Sequence, residues 1–244
     1  MRVIVWSDDR AGAGLEPQAR AEHPEGIAST LAVLLEDELG PRAEITVAGI
    51  GDPEQGLGAE RLAASEVLLW WGHEAHEQVE DRQVERVRAA VEAGLGFIAL
   101  HSAHHSKPFR ALMGTSCDLR WREGGDHELI WAVDPHHPIA AGVQSPIDLG
   151  PHEMYGEPFA IPAPEELVFI SSFSGGEVFR SGCCFRRGAG RIFYFGPGHE
   201  THPVYRHPGV RRVIANAVGW AASAGRHSPR QSTPGEVDPI WSTR

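Results

Sequence analysis

The chain has 244 residues, 41% hydrophobic and 23% charged, which excludes global disorder and suffices to bury one sizeable core. Its 22 basic residues stand against 33 acidic ones, and the net charge of −11 argues against nucleic acid or an anionic membrane as a partner. No apolar run reaches the roughly 18 residues of a membrane span. The first apolar run meets Ser7-Asp8-Asp9 too early for a signal peptide, so a cytoplasmic location is expected. Three cysteines, Cys117, Cys183 and Cys184, form no CxxC pair, so neither a disulfide framework nor a cysteine-zinc site is expected. Histidine is the residue in excess, at 14.

Residues 2–6 are almost purely apolar, as in a strand buried on both faces. A helix is predicted from Pro24, with Ile27, Leu31, Leu34, Leu35 and Leu39 on one face, stopping at Gly40-Pro41. Residues 45–48 and 67–71 read as the second and third strands. A helix carrying Val84, Val87 and Val91 follows and closes at Gly94, and residues 96–100 make a fourth buried strand. This alternation predicts a doubly wound, mainly parallel α/β sheet. Residues 117–175 hold only short strand-like pieces (129–133, 147–149 and 167–171), which predicts an irregular or antiparallel insertion within the same domain. The α/β pattern returns with a strand over 191–195 and a helix carrying Val210, Val213, Ile214, Ala217, Val218 and Ala221. From residue 225 to 244 the composition is that of a flexible tail.

Open parallel sheets bind ligands beyond the carboxyl ends of their strands. Those ends read Ser7-Asp8-Asp9, Gly72-His73-Glu74-Ala75-His76-Glu77, His101-Ser102-Ala103-His104-His105-Ser106 and Gly198-His199-Glu200-Thr201-His202. All but the first carry histidine, and the fold would bring them to one rim. His73 and His76 would share a face if their segment is helical, which suits a metal or merely a polar helix start. Ser102 stands where a nucleophile elbow could form, although the usual flanking glycines are absent. His199-Glu200, after two glycines, suits acid–base work, with packing against the last helix as the plainer reading. The run 151–159, predicted as a loop, offers His152, Glu153, Tyr155 and Glu157 to a polyhydroxylated ligand. Trp70 or Trp71 could stack on a sugar, or pack in the strand core. Neither Gly175-Gly176 nor Gly188-Ala189-Gly190 matches a dinucleotide or phosphate loop, so no nucleotide cofactor is expected.

Six segments carry a family resemblance: Trp70-Trp71-Gly72-His73-Glu74-Ala75-His76, Leu100-His101-Ser102-Ala103-His104-His105-Ser106-Lys107, Leu112-Met113-Gly114-Thr115-Ser116-Cys117, Glu153-Met154-Tyr155-Gly156-Glu157-Pro158-Phe159, Gly175-Gly176-Glu177-Val178-Phe179-Arg180-Ser181-Gly182 and Phe193-Tyr194-Phe195-Gly196-Pro197-Gly198-His199-Glu200. With them the chain resembles the trehalose-utilisation (ThuA-like) family over residues 1–224, as a single domain. The resemblance implies a flavodoxin-like fold of the class I glutamine-amidotransferase type. That superfamily places a cysteine at the elbow and a His-x-Glu after the last strand. Here the elbow segment has no cysteine, and His199 and Glu200 are adjacent, so amidotransfer is not expected.

The resemblance further implies sugar catabolism on a route that oxidises disaccharides at C3. An enzyme acting on a 3-keto-disaccharide would need a base, an acid and a group that polarises the C3 oxygen. His73, His101 and His199 are the expected ligands of one divalent metal, zinc or manganese. Glu200 or His105 would be the base and Glu153 the acid, with Asp8, Trp71, Tyr155 and Glu157 binding the sugar. The expected partner is therefore a small-molecule sugar, with neither nucleic acid nor membrane, and a homo-oligomer is compatible. Two alternatives stay open: a non-catalytic carbohydrate-binding accessory of a sugar dehydrogenase, and metal-free acyl transfer by Ser102.

Overall fold

Apolar residues alternate sides along the first strand, β1 (Arg2–Ser7), because successive side chains point to opposite faces. Val3 and Val5 enter one core while Ile4 and Trp6 enter another, so the sheet is covered on both faces. The computed structural model describes residues 1–8 and 16–222; Asp9 and the expected tail at 225–244 lie outside the described residues.

The described elements follow in chain order. A short helix α1 (Pro17–Glu22) precedes α2 (Ile27–Leu39), then come β2 (Glu44–Gly49), α3 (Ala59–Ala64), β3 (Val67–Trp71), α4 (Asp81–Glu92), β4 (Gly96–Leu100) and α5 (Lys107–Met113). Five strands come next: β5 (Arg120–Ala132), β6 (Ile147–Gly156), β7 (Glu166–Phe173), β8 (Val178–Arg187) and β9 (Gly190–Phe195). The last helix is α6 (Pro208–Ala222). The second helix starts at Ile27 and not at Pro24, because the Gly26 backbone sits at φ 85°, outside the helical region.

The strands form one nine-stranded sheet in the order β2-β1-β3-β4-β9-β8-β7-β5-β6. The first five are parallel and have the flavodoxin-like order, the expected class I glutamine-amidotransferase-like α/β fold. The expected insertion is the antiparallel half of this same sheet. Two expectations need correction. Residues 151–156 are not loop but the end of β6, paired with the start of β5: Tyr155 faces Trp121 and Met154 faces Arg122. The polar and glycine content of both segments hides a pairing that depends on a distant partner. β8 went unread for a related reason, since its buried Ser181, Cys183 and Cys184 do not form an apolar run.

Helices α2 and α6 cover one face, packing Leu31, Leu35, Val213, Ile214 and Ala217 with Val5, Leu69, Ile98 and Phe193. α4 and α5 cover the other, where Val87, Val91 and Phe109 meet Trp70, Phe97, Ile192 and Tyr194. No described helix is long and apolar enough to cross a membrane.

α6 packs tightly on the sheet at Gly96. A Cβ there would stand 2.7 Å from the Ala221 Cβ and 3.0 Å from its backbone carbonyl. Gly96→Ala is therefore expected to destabilise the fold by about 1–3 kcal/mol through overpacking. Urea unfolding checks this; unchanged stability would mean that α6 can move away from β4 at no cost.

Candidate functional site

The chain leaves β4 through a sharp bend. His101 follows Leu100 directly and adopts φ 53°, a left-handed conformation uncommon for a residue with a side chain. One turn of 3-10 helix (His101–His105) and α5 come next, and Ser106 caps α5 by accepting the Phe109 N–H. The elbow residue is thus His101, not Ser102. The Ser102 hydroxyl instead donates to the Gly72 carbonyl at 2.7 Å and is buried, which corrects its expected role as a nucleophile.

The His101 ring is fixed from three sides. Its Nδ1 lies 3.0 Å from the Gly196 carbonyl, which can only accept, so Nδ1 carries a proton. Tyr155 stacks on the ring with centroids 4.9 Å apart and 4° between planes. His101 Nε2 then faces the Tyr155 hydroxyl at 3.3 Å and Glu153 Oε2 at 3.2 Å. Glu153 is buried, and its Oε2 has no hydrogen-bond partner. Burial works to raise its pKa, but His101 beside it, with His199 and His152, holds the carboxyl below its ordinary value.

His199 arrives from the end of β9. Its Nδ1 accepts from the Thr201 N–H at 3.3 Å, and its Nε2 lies 3.3 Å from Glu123 Oε1. Burial, together with the nearby His101, lowers its pKa to about 4. One ligand atom each from His101, Glu153 and His199 lie within 4.8 Å of one another, and all three residues are buried. This is the metal-capable group among the described residues. Glu153, expected as an acid, stands in it where His73 was expected.

His73 lies beside this group, 5.8 Å from the His199 ring and 6.4 Å from the His101 ring between centroids. Its Nδ1 is 2.7 Å from Glu200 Oε1. Burial opposes charge on both partners, yet their mutual contact prevails: Glu200 is held at about 2 and His73 is raised. His76 does not share this position. Residues 73–75 form a bend and not a helical turn, so His76 points instead towards His105, 6.3 Å away between ring centroids.

The remaining expected residues serve the frame. Asp8 accepts the N–H groups of His73 and Ala75 at 3.0 and 2.9 Å, which fixes the loop carrying His73. Trp71 is buried, with its indole N–H on the Gly198 carbonyl at 3.3 Å, so it offers no stacking face. Glu157 is held by Arg180 at 2.7 and 2.9 Å and by the Phe159 N–H at 2.6 Å. His105 is half-exposed and pairs with Asp118 at 3.1 Å, outside the cluster.

Sequence reading missed Glu123 and Glu128. Glu123 is one polar residue in a charged, glycine-rich stretch, and nothing local marks it. Glu128 is buried on β5, where it accepts from Ser171 at 2.6 Å and contacts His152 Nδ1 at 2.9 Å. The His152 ring lies 6.3 Å from that of His101, so this pair backs the site. Its signal was present in the alternation of β5, which places a glutamate on the same side as Ile130.

The His73–Glu200 pair makes stability depend on pH in both directions. Glu200 is depressed from 4.5, so its contribution is present above that value and fades as pH falls towards 2. His73 is raised from 6.5, so its contribution is full below that value and fades as pH rises through the folded-state pKa. The stability gap between wild type and Glu200→Gln, measured by denaturation in the presence of a chelator, should be widest between these two values. A gap that is flat from pH 3 to about 9 would show that the pair carries no net charge coupling.

The family model described as ThuA, trehalose utilisation, matches residues 2–221. Solved structures share the fold. A ThuA-like protein from Parabacteroides merdae ATCC 43184 superposes with TM-score 0.66 at 15% identity, covering 94% of this chain and 93% of its own. A ThuA-like protein from Bacteroides uniformis ATCC 8492 gives 0.62 at 14%, with 91% of each chain covered. The cytoplasmic protein STM3548 from Salmonella typhimurium gives 0.60 at 13%, covering 91% of this chain and 99% of its own. No curated protein matches the chain in sequence. With the family model spanning nearly all of the sheet and its helices, and the fold shared end to end with ThuA-like structures, the chain belongs to the ThuA trehalose-utilisation family.

Proposed function

We propose that the chain is a sugar-catabolic enzyme that cleaves a 3-keto-disaccharide or related keto sugar by acid–base chemistry, with a divalent metal held by His101, Glu153 and His199. The observation that carries this reading is the buried Glu153 oxygen without a partner, facing two histidines at the elbow of the sheet. Burying a carboxylate in this way is costly unless a cation or a proton meets it. Two imidazoles and a carboxylate suit zinc or manganese. The proton of His101 Nδ1 on the Gly196 carbonyl directs Nε2 towards the group, as orienting partners do at metal sites.

A ketone at C3 acidifies the C2 proton and makes the C1 glycosidic oxygen a β leaving group. When bound, the cation supplies positive charge to the C3 oxygen as enolate character develops. His73 is the acid–base residue of this reading, and Glu200 fixes its Nδ1. Its ring takes the C2 proton, the C1–C2 double bond forms, and the C1–O bond breaks. The same proton passes to the departing oxygen, releasing a free sugar and an unsaturated ketone. His105, paired with Asp118 outside the cluster, has no place in this step.

Metal analysis and turnover of 3-keto-trehalose test the reading together. Wild type is expected to bind about one equivalent of zinc or manganese. His199→Ala and Glu153→Gln should lose it, while His73→Ala keeps the metal and loses about 10²-fold or more in kcat. Metal-free wild type that takes up neither ion would remove the metal from this proposal. Tight sugar binding without turnover would replace it with the accessory-protein reading.

A further inference from the structure

Trp121 is 65% exposed, the most exposed of the large apolar side chains described. Burial or partnership is the usual fate of an indole, and this one is largely exposed. Its place on β5 gives it a use. Trp121 pairs directly with Tyr155, and residues opposite each other in an antiparallel pair present their side chains on the same face. Tyr155 covers His101, so that face is the one turned to the site. Two residues further along β5, at the start of the irregular stretch between Arg122 and Asp126, Glu123 reaches His199. Trp121 therefore stands one strand repeat, roughly 7 Å, outward from a residue that touches the cluster. That step is about the span of one sugar unit.

We infer that Trp121 is the platform for the second ring of a disaccharide, the ring that leaves with the glycosidic oxygen. This rests on the keto-sugar reading above and deepens it by assigning a subsite. The apolar C–H face of a pyranose stacks on an indole plane, while its edge carries hydroxyls. A disaccharide held at the cluster reaches this platform, and a single keto-hexose does not.

Calorimetric titration of wild type, Trp121→Ala and Trp121→Phe with trehalose, 3-keto-trehalose and 3-keto-glucose tests the assignment. Because Trp121 is exposed, both variants are expected to fold. The alanine variant should bind both disaccharides about three- to tenfold more weakly and bind 3-keto-glucose as wild type does, whereas phenylalanine retains most of the affinity. The KM for 3-keto-trehalose should rise in parallel with the loss of binding. Equal disaccharide affinity in wild type and Trp121→Ala overturns the platform and leaves the keto-sugar reading standing. An equal loss for 3-keto-glucose also overturns it, because the indole would then serve the reacting ring. Wild type that binds none of the three sugars overturns both the platform and the reading beneath it.

Discussion

The site depends on the left-handed backbone at His101. A residue with a side chain at φ 53° stores about 1–3 kcal/mol of strain, which persists only where the surroundings over-determine it. Here they do. The Tyr194 hydroxyl donates to the His101 carbonyl at 3.1 Å, the ring nitrogen binds the Gly196 carbonyl, and Tyr155 stacks on the ring. These partners come from β9, the loop after it, and β6. The elbow therefore ties the parallel half of the sheet to the antiparallel half, and Nε2 is aimed as a result of that tie.

A second constraint is the matching of buried imidazoles with buried carboxylates. Glu128, Glu153 and Glu200 are all buried, and each lies against a histidine: His152, His101 and His73. The pairs are not equivalent. Glu200 and His73 make a short contact at the edge of solvent, which lowers the carboxyl and raises the imidazole. Glu128 is also satisfied by Ser171, as befits a supporting pair. Each of the three carboxylates keeps one oxygen without a hydrogen bond, and Glu153 is the one grouped with His101 and His199.

The parallel core was legible because its signals are local. Strands buried on both faces are continuous apolar runs, and α4 and α6 repeat their apolar positions at helical spacing. The histidine-bearing strand ends could likewise be read, since ligands collect at that edge in any such sheet. What escaped was non-local. The start of β5 and the end of β6 are strands only because they pair with each other, and Glu123 and Trp121 gain meaning only through that register. Trp71 misled for a different reason: strand pattern says that a side chain alternates, but not which face closes over. Asp8 and Ser102 sit at strand ends as ligand-binding residues do, yet they use their polar atoms on backbone that a loop would otherwise leave unpaired.

The adjacent His199-Glu200 shows how the departure from the superfamily pattern works out in three dimensions. Without an intervening residue, the two side chains diverge from one another: His199 turns to Glu123 and the elbow, Glu200 to His73. The contact between His199 and Glu200 themselves is long, at 3.8 Å. The two neighbouring residues thereby take separate places in the site. One becomes a member of the buried metal-capable group, and the other sets the charge of a histidine nearer solvent. The elbow residue of this chain is a histidine and not a cysteine. An imidazole there cannot form the thioester that amidotransfer needs, but it can present a lone pair to a cation or a proton to a substrate oxygen.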